Sequence, residues 1–294
     1  MALPEYTSTG YRVWHYSYLT FVGFVMFFLV APLIVVIPLS FTSGAFLSFT
    51  PEMLALDPEG FSLRWYKILM GDCSDAIVTT VCTDKWKIGS INSLFVAVVS
   101  TFLAVTLGTL AALGLSRPHM PYRKVIMAAL ISPMIVPLII TAAGMFLFYA
   151  KLNLVATFTG LIFAHTALGL PFVVITVTST LVGFDHSLTR AAESLGSTPA
   201  NNFFKIQLPL IAPGVISGAL FAFITSFDEI VVVLFLGGAD QLTLPRQMWS
   251  GIRQEISPTI LAAATILVIL SVLLLTTVEL LRRRSERLRG ISPA

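Results

Sequence analysis

Charged residues divide this chain into long apolar runs. No Asp, Glu, Lys or Arg occurs between Arg12 and Glu52, Lys87 and Arg117, Lys124 and Lys151, Lys151 and Asp185, Lys205 and Asp228, or Glu255 and Glu279, and each window is 22 residues or longer. A helix rises about 1.5 Å per residue, so about 20 apolar residues cross a hydrocarbon core about 30 Å thick. The pattern predicts six transmembrane helices, near 18–41, 91–116, 125–150, 154–182, 213–236 and 258–280. Barrel strands would alternate in sets of about ten residues, and these runs do not alternate. The expected fold class is an all-α polytopic membrane protein. Residues 1–17 are a polar segment ahead of the first span, 18–281 the six-helix domain with loops at 44–90 and 183–212, and 282–294 a basic tail. The first run is long and lacks a small-residue cleavage site, which reads as an anchor rather than a signal peptide.

Composition supports this division. Of the 294 residues, 56% are hydrophobic and 11% charged, whereas a soluble domain carries about 25% charge. A soluble core of this size lacks its charged shell, and disorder is excluded by the same numbers. A net charge of +3 gives no argument for a nucleic-acid partner. Two cysteines make neither a zinc cluster nor a disulfide-rich scaffold, and no metal site is expected.

Lys and Arg set the orientation. With the N-terminus inside, the cytoplasmic side holds Arg12, Arg117, Arg123, Lys124, Arg190, Lys205, Arg282, Arg283, Arg284, Arg287 and Arg289. The other side holds Arg64, Lys67, Lys85, Lys87, Lys151, Arg246 and Arg253, four of them in the long first loop, where such charges weigh less. Both termini are expected in the cytoplasm. Phe61, Trp65, Tyr66, Trp86 and Trp249 read as a headgroup-level aromatic belt or as contacts to a partner. Pro133, Pro137 and Pro171 fall within predicted spans and read as kinks, not breaks in topology.

The connection between the fourth and fifth spans differs from the others. From Phe184 to Pro213 it is amphipathic and rich in helix formers. A first short helix is expected over 187–195, ended by Gly196 as a left-handed residue. Thr198 followed by Pro199 is an N-cap with proline at the first helical position, opening a second helix toward Lys205. On pattern alone the pair is either an interfacial hairpin or a docking knob.

The segment resembles the signature loop of ABC-importer permeases, Glu-Ala-Ala, three residues, Gly, nine residues, then Ile-x-Leu-Pro. Ala191, Ala192, Gly196, Ile206, Leu208 and Pro209 fall on that spacing. The order of spans, with the loop between the fourth and fifth, is also the family's. Ser226-Phe227-Asp228-Glu229-Ile230-Val231, Leu244-Pro245, Ser257-Pro258 and Phe61-Ser62-Leu63-Arg64-Trp65-Tyr66 are similar to the spermidine/putrescine permeases within it; related permeases for other small organic solutes share these phrases. The resemblance implies the type I importer permease fold in a bacterial inner membrane. It also implies a second homologous permease, a cytoplasmic ATPase dimer that carries ATP and magnesium, and a periplasmic or extracellular solute-binding protein. The family's Glu is Arg190 here. Glu193, three residues on and near the same helical face, is an alternative acidic contact.

No G-x-x-x-x-G-K-[ST] phosphate loop occurs, so ATP hydrolysis is expected on a partner and no cofactor is expected on this chain. H-E-x-x-H and G-x-S-x-G are also absent, and His165, within a span, reads as a helix-packing hydrogen-bonder. Asp228 and Glu229 are placed mid-span. A carboxylate there costs about 2.5–3.5 kcal/mol on insertion scales, so such residues face an aqueous path or a partner. With Ser226 and Phe227 they are candidate pathway residues for a cationic solute; the other reading is a buried tie between helices or subunits. An ion-coupled secondary transporter remains the competing function, though no internal repeat is evident. Cys73 and Cys82, in the loop expected outside, are candidates for a disulfide, to be read from alkylation without reductant.

Overall fold

The computed structural model describes residues 7–72, 74, 84–117, 119–185, 187–254 and 256–288. Cys73 and Cys82 lie outside them. The chain divides into two compact units, Met1–Cys82 with Glu255–Ile266, and Thr83–Gln254 with Leu267–Ala294.

In the first unit, α1 (Thr9–Leu39) is followed by α2 (Pro51–Leu54), a 3-10 turn (Pro58–Gly60) and α3 (Arg64–Leu69). Helix α1 reaches into the expected polar segment 1–17: Ser8 caps it by accepting from the Tyr11 N–H, and the helix is already formed at Thr9. The segment after α1 is built rather than loose. Trp65 Nε1 donates to the Thr42 carbonyl at 2.7 Å, and the Ser40 and Tyr66 hydroxyls lie 2.6 Å apart. Trp65 is buried, so its indole belongs to this fold and not to a headgroup belt.

The second unit holds α4 (Lys85–Leu115), α5 (Arg123–Ile135), α6 (Leu138–Lys151), α7 (Phe158–Val182), α8 (Ser187–Ser194), α9 (Pro199–Asn202), α10 (Leu208–Phe227), α11 (Val231–Leu236) and α12 (Leu244–Gln254). A further helix, α13 (Thr259–Leu288), runs past the expected end of its span. Helices α4 and α13 overrun the expected limits of loop 44–90 and tail 282–294. The cause is common to both: Lys, Arg and Glu are good helix formers whose long stems reach for water, so a charge marks the edge of the hydrocarbon and not the end of a helix. In α13 the Arg283 Nε donates to Glu279 Oε1 at 2.7 Å across one turn.

Five helices among the described residues are long and apolar enough to cross a membrane: Thr9–Leu39, Lys85–Leu115, Phe158–Val182, Pro199–Phe227 and Thr259–Leu280. A sixth is made if α5 and α6 count as one span, and they are bent by 104°. This corrects the reading of Pro137 as a kink. The residue before a proline is pushed out of the helical region, and Val136 sits at φ −70°, ψ 137°.

Helices α4, α7 and α10 form the core of this unit, where glycine lets backbones approach. A Cβ added at Gly218 would meet Thr176 Oγ1 at 2.5 Å and Val173 Cα at 2.8 Å. Gly218→Ala should therefore force α10 off α7, with an overpacking cost of about 1–3 kcal/mol. Gly144→Ala, where nothing lies within 4 Å, is the control. The thermal midpoint in detergent should fall for the first and hold or rise for the second; equal midpoints would refute this packing.

Candidate functional site

Two features carry polar chemistry, and both lie in the second unit. The first is the far end of α10. Near its last turn Ser226 is buried, with its Oγ 2.8 Å from His165 Nδ1 and 3.0 Å from Ser100 Oγ. Thr166 Oγ1 donates to the carbonyls of Ile162 at 2.7 Å and Ser100 at 3.4 Å. This knot joins α4, α7 and α10 where hydrocarbon surroundings offer polar groups no water. Ser226, a candidate pathway residue, thus bonds across helices, and His165 bonds as expected of a packing histidine. Sequence spacing held no signal for Ser100, which reaches Ser226 from 126 residues away.

One residue past Phe227 the helix stops, which corrects the placement of Asp228 and Glu229 in mid-span. Asp228 is the C-cap of α10, Ile230 is distorted to φ −117°, ψ −38°, and α11 starts at Val231. The two carboxylates have different surroundings. Glu229 is 8% exposed, and its Oε1 accepts from the Val232 N–H at 2.8 Å, so it caps the positive end of α11 as an N-cap side chain does. Asp228 is exposed beside the negative end of α10. Phe227 is partly buried and stacks on Phe223, ring centroids 5.5 Å apart.

The second feature is the α7–α10 connection. Ser187 N–H donates to Asp185 Oδ1 at 2.8 Å, starting α8. At its other end Gly196 adopts φ +82°, Gly196 N–H donates to the Glu193 carbonyl at 2.9 Å, and Ser197 N–H to the Ala192 carbonyl at 3.0 Å. Those two bonds define a Schellman stop. Thr198 caps α9 through the Asn201 N–H with Pro199 next, as the sequence predicts. Asn202, which pattern reasoning missed, is buried and donates to the Thr189 carbonyl at 3.1 Å, tying α9 to α8.

The loop 183–212 is shorter than expected at its far end. A π-helical turn, Phe203–Gln207, carries α9 directly into α10. Pro209 lacks the N–H that would bond the Lys205 carbonyl and its ring crowds that carbonyl; the wider turn before it relieves both effects. Ile206 and Leu208 are half-buried and Pro209 exposed, so the three mark where the loop becomes a span. Ala191, Arg190 and Glu193 are exposed and Ala192 half-buried. Leu195, at the turn between α8 and α9, is 89% exposed, an apolar side chain displayed beyond the core as in surfaces that meet another protein.

The described residues thus form a helical chain with several candidate membrane spans and an amphipathic hairpin between α7 and α10. Residues 104–287 match the family described as the binding-protein-dependent transport system inner membrane component, and the chain belongs to that family, whose members are multi-pass components of the inner membrane. It is 32% identical over 256 residues, 87% of this chain and 90% of the relative, to the spermidine/putrescine transport system permease protein PotC of Escherichia coli strain K12. It is 32% identical over 247 residues, 82% of this chain and 81% of the relative, to the putrescine transport system permease protein PotI of the same strain. In fold it matches a chain of the crystal structure of a bacterial ABC transporter involved in the import of the acidic polysaccharide alginate. That match has a TM-score of 0.66 and 16% identity, and covers 96% of this chain and 99% of that one.

Proposed function

We propose that this chain forms half of the pathway of an ATP-driven importer for a polyamine such as spermidine or putrescine. The observation that carries the solute class is Asp228, an exposed carboxylate at a helix break, next to carbonyls of the last turn of α10. A helix C-terminus and a carboxylate together favour an ammonium group. Glu229, already occupied with the Val232 N–H, supports the break rather than the solute. The names of the relatives support the same solute class.

The partners follow from the same reading. A solute-binding protein delivers the polyamine on the outer side, a second homologous permease completes the pathway, and a cytoplasmic ATPase dimer holds ATP and magnesium. The α8–α9 hairpin docks on the ATPase. Because the π turn makes α9 continuous with α10, closure of the ATPase on ATP moves the hairpin and α10 together, and the break at Asp228 lies at the end of that lever. Alternating access is the result, with both termini of this chain cytoplasmic. The experiment is ATP hydrolysis by the assembled complex with binding protein loaded with spermidine, with putrescine, or with a neutral or anionic solute. Stimulation by the polyamines alone is expected; stimulation by a neutral or anionic solute alone would transfer the assignment to another importer of the family.

A further inference from the structure

The docking hairpin carries positive charge that nothing within the described chain uses. A cavity of about 580 Å³ opens where the end of α4, the end of α7, α8 and the start of α10's π turn meet, and Arg117 and Arg190 both line it. Both residues are exposed. Among the described residues neither guanidinium makes an ion pair or a hydrogen bond. Glu193 lines the same cavity, but its Oε1 faces the hairpin's own amide, accepting from Asn202 Nδ2 at 3.5 Å. Asn202 in turn is fixed on the Thr189 carbonyl. One Glu193 oxygen is thus turned toward Asn202, while the two forks of N–H donors have no partner among the described residues.

We infer that this cavity receives an Asp or Glu side chain of the ATPase. A guanidinium fork matches a carboxylate in two parallel hydrogen bonds, and two such forks line this one cavity. The exposed Leu188 and Leu195 on the same hairpin favour a protein over a free anion, since a phosphate would leave that apolar surface in water. The inference rests on the hairpin being the ATPase-docking element, and it sets the sign of the contact. An ATPase that presents a cation opposite Arg190 is repelled.

The test uses the assembled complex in two arms. In the first, Arg190→Lys supplies an amine, a carbodiimide joins amines to adjacent carboxylates, and peptide mass spectrometry locates the link. In the second, Ser194→Cys is joined to lysine amines of the ATPase with a short thiol-to-amine cross-linker. The expected result is a link from position 190 to an Asp or Glu of the ATPase, and about tenfold or greater weakening of ATPase binding by Arg190→Glu, shrinking as salt rises. A thiol link at 194 with no carboxylate link at 190, or with a link at 190 only to Glu193 of this chain, overturns the inference and leaves the docking reading standing. Absence of both links removes the docking reading, and the inference with it.

Discussion

Gly196→Pro abolishes coupling in this account while leaving the spans folded. The residue stands at φ +82°, and proline fixes φ near about −65° and has no N–H to give. The bond from Gly196 to the Glu193 carbonyl is lost, and the neighbouring bond from Ser197 to Ala192 loses its geometry. The stop that turns α8 into α9 then opens. The effect stays local, because nothing else lies within 4 Å of a Cβ at this position. Gly196→Ala isolates the conformational part, since a left-handed non-glycine residue costs about 1–2 kcal/mol, and it should retain partial activity. On complexes that still co-elute with the ATPase, stimulated hydrolysis and uptake should fall about tenfold or more with proline and less with alanine. Native coupling in the proline variant would show that the hairpin transmits nothing.

Asp228→Asn and Glu229→Ala should separate transport from stability. The Asp228 carboxylate accepts no hydrogen bond among the described residues, so its neutralisation leaves the fold intact. Its loss to a cationic solute is that of a charged hydrogen bond, about 1.5–3 kcal/mol, or roughly a tenfold to hundredfold rise in KM with assembly unchanged. Glu229→Ala instead strips the acceptor from the Val232 N–H, at about 0.5–2 kcal/mol, and lowers the thermal midpoint. Glu229→Gln keeps the acceptor oxygen and should restore that midpoint. Initial uptake rates against solute concentration, with melting curves on the same preparations, separate the two. A native KM in Asp228→Asn together with a lowered midpoint would make Asp228 a helix tie as well.

The sequence exposes the spans because hydrocarbon excludes charge, and the hairpin because its caps are local chemistry: Gly196, Thr198 and Pro199 each act within a few residues of themselves. Helix ends extend past the charge-free windows. Thr9, Lys85 and the turns beyond residue 280 are helical because backbone hydrogen bonding continues after the hydrocarbon ends. The breaks were the harder loss. Pro137 belongs to a pattern that kinks helices elsewhere, and Asp228–Ile230 sits inside an apolar run that reads as one helix, although the Glu229 side chain there accepts from the Val232 N–H. The Ser100–Ser226–His165 knot was out of reach, because the pairing depends on which helices pack together. The residues of the candidate site are therefore legible as residue types, and its division into an exposed carboxylate and a capping one is not.

The most direct measurement is uptake into proteoliposomes containing this chain, its companion permease, the ATPase and the binding protein. Labelled spermidine or putrescine should accumulate only with ATP inside the compartment holding the ATPase, should be displaced by unlabelled polyamine, and should not be displaced by a neutral or anionic solute. Accumulation driven by an ion gradient without ATP, or of a neutral or anionic solute in place of the polyamine, would contradict it.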